Sequence, residues 1–272
     1  SYIINTIKKN KPNARVYCIA DNALPHEKFF IFEKYFIKRF FNKFSGIFTM
    51  SSNVKDQIEK FVDSSLIKNV FLPIKEKSVS LLSKSKSMRK IGISEKFVVL
   101  FFGLLRKYKG LDILLRAIKE MNHINADFKL LITGESYDSK EKYLKLINEL
   151  NISDRIIWID KYINESDVNL YFSASDVIVL PYKRASQSGI IPLAYSYNKI
   201  VVASDIPGLN NFIVDKKTGY LFKNGDYNSL SKILQKIYLE HDYIKSKSEI
   251  IKYKKKFSID TLISEIISYI QE

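Results

Sequence analysis

The sequence predicts an α/β fold built on doubly wound parallel sheets, and three observations carry that reading. Short β-branched or aromatic runs alternate with longer amphipathic ones along 272 residues, the pattern of strand, helix, strand with right-handed crossovers. Several short runs are apolar on both faces, as strands covered on each side by helices must be. With 46% hydrophobic and 27% charged side chains, the chain can bury one large core or two smaller ones, which excludes a disordered tail protein.

In chain order, strands are predicted at 15–21, 46–51 and 69–74, then at 97–103, 128–133, 155–159, 177–181, 200–204 and 219–222. Helices are predicted between them. In 110–121, Leu111, Leu114, Leu115 and Ile118 recur at i, i+3, i+4 and i+7 and form one apolar stripe. Further helices are 140–150 and 165–173, the latter behind Asn164 as a candidate cap. Residues 75–90 hold no aromatic side chain and are rich in Ser and Lys, so they read as a surface linker. This divides the chain into a partial first domain with linker, 1–90, and a second domain with a full set of strands, 91–272. Three helical segments, 227–238, 241–254 and 259–270, follow the last strand, and the final one is expected to reach back to the first domain. The chain opens at Ser1 with the first domain already under way, so an N-terminal portion is expected ahead of it.

The longest apolar run, 97–105, stops at Arg106 after nine residues, against the roughly 20 that a bilayer-spanning helix needs. No membrane span and no signal peptide are expected. Cys18 is the single cysteine, and His26, His123 and His241 lack zinc-ligand spacing, which fits a reducing, cytoplasmic setting. Lys plus Arg outnumber Asp plus Glu by 44 to 29. Residues 1–95 hold 18 basic and 8 acidic side chains, a net +10, and 96–272 hold 26 and 21, a net +5. That asymmetry points to an anionic partner for the first part, with a merely solvated basic surface as the alternative. No nucleic-acid reader motif accompanies the charge, and nucleic acid is not expected.

Ligands of doubly wound sheets bind beyond the carboxyl ends of the strands. After the strand at 97–103, the loop from Gly103 to Gly110 carries Arg106 and Lys109 and opens a helix. Glycine turns, free N–H groups and two cations suit a diphosphate; alone, the loop reads equally as a basic surface turn. A second loop, 181–191, is small and polar and leads into an apolar helix, where Ser188, Gly189 and Ile190 offer further backbone donors. Gly134 ends a third strand at the same edge. Two helix starts facing one crevice favour the phosphate reading.

These residues resemble the second domain of retaining glycosyltransferases of the GT-B fold, the large family-four, group 1 type that uses nucleotide sugars. The resemblance covers roughly 97–222. It is carried by Lys109-Gly110, Ser175-Asp176 before Val177-Ile178-Val179-Leu180-Pro181, Val201-Val202-Ala203-Ser204, Pro207-Gly208-Leu209, and Asp215 with Thr218-Gly219. Residues 15–61, with Asp21-Asn22-Ala23-Leu24-Pro25-His26-Glu27 and Met50-Ser51, resemble the second half of the family's acceptor domain. The implied architecture is two Rossmann-like domains, the first incomplete. There are departures. The family's arginine after the first loop glycine is here Leu104, so Arg106 would serve in its place. The family's two glutamates around the second loop fall at Ala185 and Leu193, which leaves Gln187 as a candidate sugar contact. The family's catalytic-site histidine would end the strand at Ala20-Asp21, which makes His26 a displaced candidate, or else an ordinary loop residue. Tyr162 with Ile163, after the strand at 155–159, would wall a base pocket or simply pack. Trp158 is expected in the core, and Asp176 is expected to order the start of its strand.

The resemblance implies transfer of a sugar from a UDP- or GDP-linked donor to a saccharide or lipid-linked acceptor, with retention, in cell-surface polysaccharide or glycan synthesis. Arg106, Lys109 and the N–H groups of 188–190 would stabilise charge growing on the departing diphosphate. The sequence has no Asp-x-Asp motif, and Glu165-Ser166-Asp167 suits a helix start; no metal is expected, nor a cofactor beyond the donor. Closure of the two domains, hinged at the linker and last helix, is expected to exclude water. A chain without the two glutamates can alternatively be a degenerate protein that binds a nucleotide sugar or a partner. Lastly, 27–44 interleaves aromatics with Lys28, Lys34, Lys38, Arg39 and Lys43. Such a segment suits an anionic membrane surface, peripheral at the inner membrane face; a helix packed between domains with snorkelling lysines is the alternative.

Overall fold

Among the residues that the computed structural model describes, 2–21, 33–74, 82–137 and 139–271, nine strands form two wholly parallel sheets. They belong to two units, one made of Ser1–Pro73 with Phe257–Glu272 and the other of Ile74–Lys256.

The first unit begins α1 (Tyr2–Asn10), β1 (Tyr17–Ala20), α2 (Glu33–Phe41), β2 (Gly46–Thr49), α3 (Ser52–Ile58) and β3 (Ile67–Asn69), with sheet order β1-β2-β3. Alternation along β2 serves two cores. Ile47 packs with Val54 and Ile58 on one face, and Phe48 with Val70 on the other. The expected third strand, 69–74, is shifted: β2 ends at Thr49, whose carbonyl takes Val70 N–H at 2.8 Å. Beyond that point no ladder remains, and Phe71 instead packs edge-to-face on Phe257 at 5.1 Å.

The second unit runs α4 (Lys84–Ile91), β4 (Phe97–Phe102), α5 (Leu111–Met121), β5 (Phe128–Thr133), α6 (Lys140–Glu149), β6 (Ile156–Ile159) and α7 (Glu165–Ala174). It continues with β7 (Val177–Leu180), α8 (Ile190–Ser196), β8 (Ile200–Ser204), β9 (Gly219–Phe222), α9 (Tyr227–Glu240) and α10 (Asp242–Lys254). The sheet order is β6-β5-β4-β7-β8-β9, so the direction of winding reverses between β4 and β7. Both strands lie in the core. The predicted stripe Leu111, Leu114, Leu115 and Ile118 is buried.

Three expectations change. The segment read as a linker to residue 90 holds α4, whose polar composition hid a capped helix: Ser83 Oγ accepts Lys86 N–H, and Gly92 ends it in the left-handed region at φ 80°. Lys84 Nζ then reaches Asp176 at 2.6 Å and Lys96 O at 2.8 Å. Asn164 precedes α7 but makes no side-chain cap hydrogen bond. As expected, the last helix, α11 (Ile259–Gln271), belongs with the first unit, the second ending at Lys256: Leu262, Ile266, Tyr269 and Ile270 pack against Phe48 and Val70, and Arg15 donates to Ile270 O at 3.0 Å. Trp158, expected in the core, is only half-buried on the edge strand β6.

Asp176 orders the start of β7 as expected. It accepts Val98 N–H at 2.8 Å. Burial pushes its carboxyl pKa up, against the pull of Lys84. Lys84 is one-third exposed, but Asp176→Ala also leaves the buried Val98 N–H without its acceptor, so the variant is expected to cost about 1–3 kcal/mol. Urea denaturation checks this; a loss below about 1 kcal/mol, the range of an exposed pair, would show that α4 is not held by this carboxylate.

Candidate functional site

At the reversal of the sheet, β4 and β7 lie side by side, and the loops that follow them share one edge. Those loops approach closely. Gly110 adopts φ 68°, and a Cβ there would overlap Pro181 O, so only glycine fits. Gly134, at φ 134°, sits in the same way against Gly103 O. Lys183 N–H donates to Tyr108 O at 2.7 Å, Leu105 N–H to Glu135 O at 2.9 Å, and Tyr137 N–H to Leu105 O at 3.1 Å. The loops after β4, β5 and β7 thereby form one hydrogen-bonded floor.

This floor holds a buried ammonium. A 3-10 turn, Lys107–Lys109, turns Lys109 inward, where it is 9% exposed. Its Nζ is 3.0 Å from the point where a Cβ on Gly103 would stand, and Ile190 Cδ1 is 3.9 Å from that point. Lys109 and the first residue of α8 therefore flank Gly103 together. Lys109 Nζ also lies over the Tyr182 ring, 5.6 Å from its centroid. Among the described residues no carboxylate and no hydrogen-bond acceptor pairs with it. Burial first, and then the charge of Arg106, lowers its pKa to about 8. That shift corresponds to a penalty on the order of 3 kcal/mol on the charged form, which a bound anion would relieve.

Ser188 is buried; its Oγ accepts Ile190 N–H at 3.3 Å and is hydrogen-bonded to the hydroxyl of Tyr182. Gly189 faces open space. Gln187 keeps its Oε1 out of solvent. Arg106 is exposed and stacks on Tyr137 at 4.8 Å. Lys183 is neutralised by Asp112 at 2.8 Å, whereas Arg106 and Arg184 have no carboxylate partner among the described residues. Gly103, Lys109, Gly134, Ser188 and Ile190 thus gather at one place. Tyr162 does not join them; it is 66% exposed and makes no hydrogen bond or ring contact among the described residues. His26 lies outside the described residues. Tyr182 and Tyr137 were not singled out from the sequence. Their signal is position: each closely follows a strand end beside a cationic loop. Among the described residues, no group of three His, Cys, Asp or Glu side chains could hold a metal ion.

Residues 83–257 match the family model of glycosyl transferases group 1. The D-inositol 3-phosphate glycosyltransferase of Corynebacterium diphtheriae is 31% identical over 134 residues, 47% of this chain and 31% of that protein. The putative glycosyltransferase YtcC of Bacillus subtilis is 27% identical over 191 residues, 65% of this chain and 46% of that protein. The chain thus spans less than half the length of these curated relatives. Among solved structures, Anabaena Alr3699/HepE in complex with UDP and glucose superposes with a TM-score of 0.80 at 18% identity, over 99% of this chain and 75% of that one. Sucrose-phosphate synthase from Thermosynechococcus elongatus gives 0.79 at 16%, over 98% and 70%. These likenesses establish the fold, a GT-B-like α/β protein with Rossmann-like domains.

A buried, unpaired ammonium weakens the fold that carries it. Lys109→Met is expected to raise the melting temperature at neutral pH. The unfolded chain binds more protons than the native one between about 8 and the ordinary lysine pKa of about 10.4. The deficit is therefore full below that window and shrinks as pH rises through it. Thermal melts across that window check both statements; a lower melting temperature in the variant would show that the lysine is compensated.

Proposed function

The chain belongs to the glycosyl transferases group 1 family, and on that premise we propose that it moves a sugar from a nucleotide-sugar donor to a saccharide or lipid-linked acceptor, with retention, in cell-surface glycan synthesis. The observation that carries this reading is the buried Lys109 ammonium, without a carboxylate partner among the described residues, beside the start of α8 at the reversal of the sheet. The donor is held by its diphosphate, on Lys109, Arg106 and the donors of 188–190. Anabaena Alr3699/HepE is seen with UDP-glucose, so a UDP-linked donor is the first to test and a GDP-linked one the second. The acceptor hydroxyl oxygen attacks the anomeric carbon from the leaving-group side while the bond from that carbon to the diphosphate oxygen breaks. The electron pair stays on the diphosphate, which takes the hydroxyl proton. The fixed cations and N–H groups meet charge that is larger in the transition state than in the ground state, and this difference is what accelerates transfer. Gln187 is assigned to the donor sugar, Tyr162 to the base and His26 to the acceptor side.

Replacing Arg106 and Lys109 together by Ala is expected to abolish turnover of the donor; unchanged turnover rejects their role. Ala185 and Leu193, where the family's glutamates would stand, favour the second reading, a degenerate binder. Slow hydrolysis of a nucleotide sugar separates the two, since a pure binder shows none.

A lipid-linked acceptor fits the surface of α2, where Tyr35, Phe36 and Phe40 are exposed beside exposed Lys38 and Arg39. That face is assigned to the anionic inner membrane surface. Sedimentation with anionic liposomes is expected to exceed that with neutral ones; equal binding to both removes the electrostatic claim.

A further inference from the structure

The loop that joins β7 to α8 forms neither helix nor strand over 181–189, so its shape is set by what presses on it. Its beginning is held by Gly110 at Pro181 and by the bond from Lys183 N–H to Tyr108 O. The part that leads to Gln187 is held by the connections that leave β8 and β9 at the same edge of the sheet. Gly208, in the turn after β8, adopts φ 89°, and a Cβ there would stand 2.3 Å from Ser186 O and 2.8 Å from Ala185 O. Two main chains meet at this point, which only glycine allows. After β9, Asn224 Nδ2 donates to Lys183 O at 3.1 Å.

The turn that presents Gly208 has little freedom to yield. Pro207, just before the glycine, has a fixed φ, Leu209 just after it is fully buried, and Asn210 Nδ2 closes the turn on Asp205 Oδ1 at 2.9 Å. Asp205 N–H ties the start of the turn to Phe222 O on β9 at 2.8 Å. A side chain at 208 would therefore displace the loop rather than the turn. Ordinary contact begins at 3.4 Å, so the displacement is about 1 Å, and an N–H···O bond with a working range of about 2.7–3.2 Å does not survive it.

We propose that Gly208 is a positioning residue for the donor: its bare main chain lets 186–190 settle where the N–H groups of 188–190 meet the diphosphate, and Asn224 braces the same loop at Lys183. This rests on the function proposed above and gives two residues on other connections of the sheet a part in it.

The test compares Gly208→Ala with Gly92→Ala, by calorimetric titration with UDP and by thermal melts. Gly92, at the end of α4, lies at φ 80° with nothing within 4 Å of its Cβ position. Its alanine variant carries the same kind of backbone strain with no neighbour to push. Both variants are expected to melt at a lower temperature. Only Gly208→Ala is expected to weaken UDP, about tenfold, the size of one hydrogen bond to a charged group. Asn224→Ala, a change at an exposed position, is expected to weaken UDP about threefold, the size of a weak neutral hydrogen bond. A UDP affinity that is unchanged in Gly208→Ala, or that falls as far in Gly92→Ala, overturns the proposal while leaving the function intact. Failure of the unsubstituted protein to bind UDP or inorganic pyrophosphate overturns both. Should Gly208→Ala not fold, Asn224→Ala decides: an affinity equal to that of the unsubstituted protein overturns the proposal.

Discussion

An ammonium group kept out of water, with no carboxylate beside it among the described residues, sets the terms for the rest of this structure. Burial of Lys109 brings its pKa down to about 8, a penalty that a folded chain carries only when neighbouring structure holds the side chain in place. Here the holding is done by main chain. Gly110 against Pro181, Gly134 against Gly103 and the bond from Lys183 to Tyr108 leave the loop after β4 little freedom to swing the lysine into solvent. A site organised before its ligand arrives needs no reordering when negative charge develops.

Charge is distributed unequally between the two edges of the large sheet. Near the amino end of β7, Asp176 meets Lys84 at 2.6 Å, and Lys199 donates to Ser175 O at 2.6 Å, so cations there have local partners and serve the fold. At the carboxyl edge, Lys109, Arg106 and Arg184 have no carboxylate partner among the described residues. The second loop adds none, since 181–191 contains no acidic residue. A carboxylate at Ala185 would put a negative charge into that loop. The departure from the family pattern therefore leaves the edge more positive than it would otherwise be.

Aromatic side chains take over part of the positioning. Tyr137 carries the Arg106 guanidinium at 4.8 Å, and Tyr182 carries Lys109 while bonding Ser188. A ring face attracts a cation without neutralising it, so the charge stays available to a diphosphate. On the function proposed above, this is the chemical difference between a cation held for binding and one held for stability.

Much of this was legible in the residues. Runs such as Phe97–Phe102, apolar on both faces, and the stripe Leu111, Leu114, Leu115, Ile118 dictate buried strands and an amphipathic helix, because burial has to follow their periodicity. The loops after those strands, with Lys109, Gly134 and Ser188, followed from the rule that binding lies at carboxyl ends. Local composition misjudged α4, since a polar helix tied down by Lys84 to Asp176, 92 positions away, looks like a linker until its partner is known. The helix at α11 was legible and so was its return to the first unit; its partners there, Phe48 and Val70, were not. The role of Tyr182 depends on the distance between two loops more than 70 residues apart, and that distance is set by the order β5-β4-β7. The sequence alone determined the strands of the large sheet and the chemistry at their ends; only tertiary packing decided which charges meet a counter-charge, because pairing requires proximity in space.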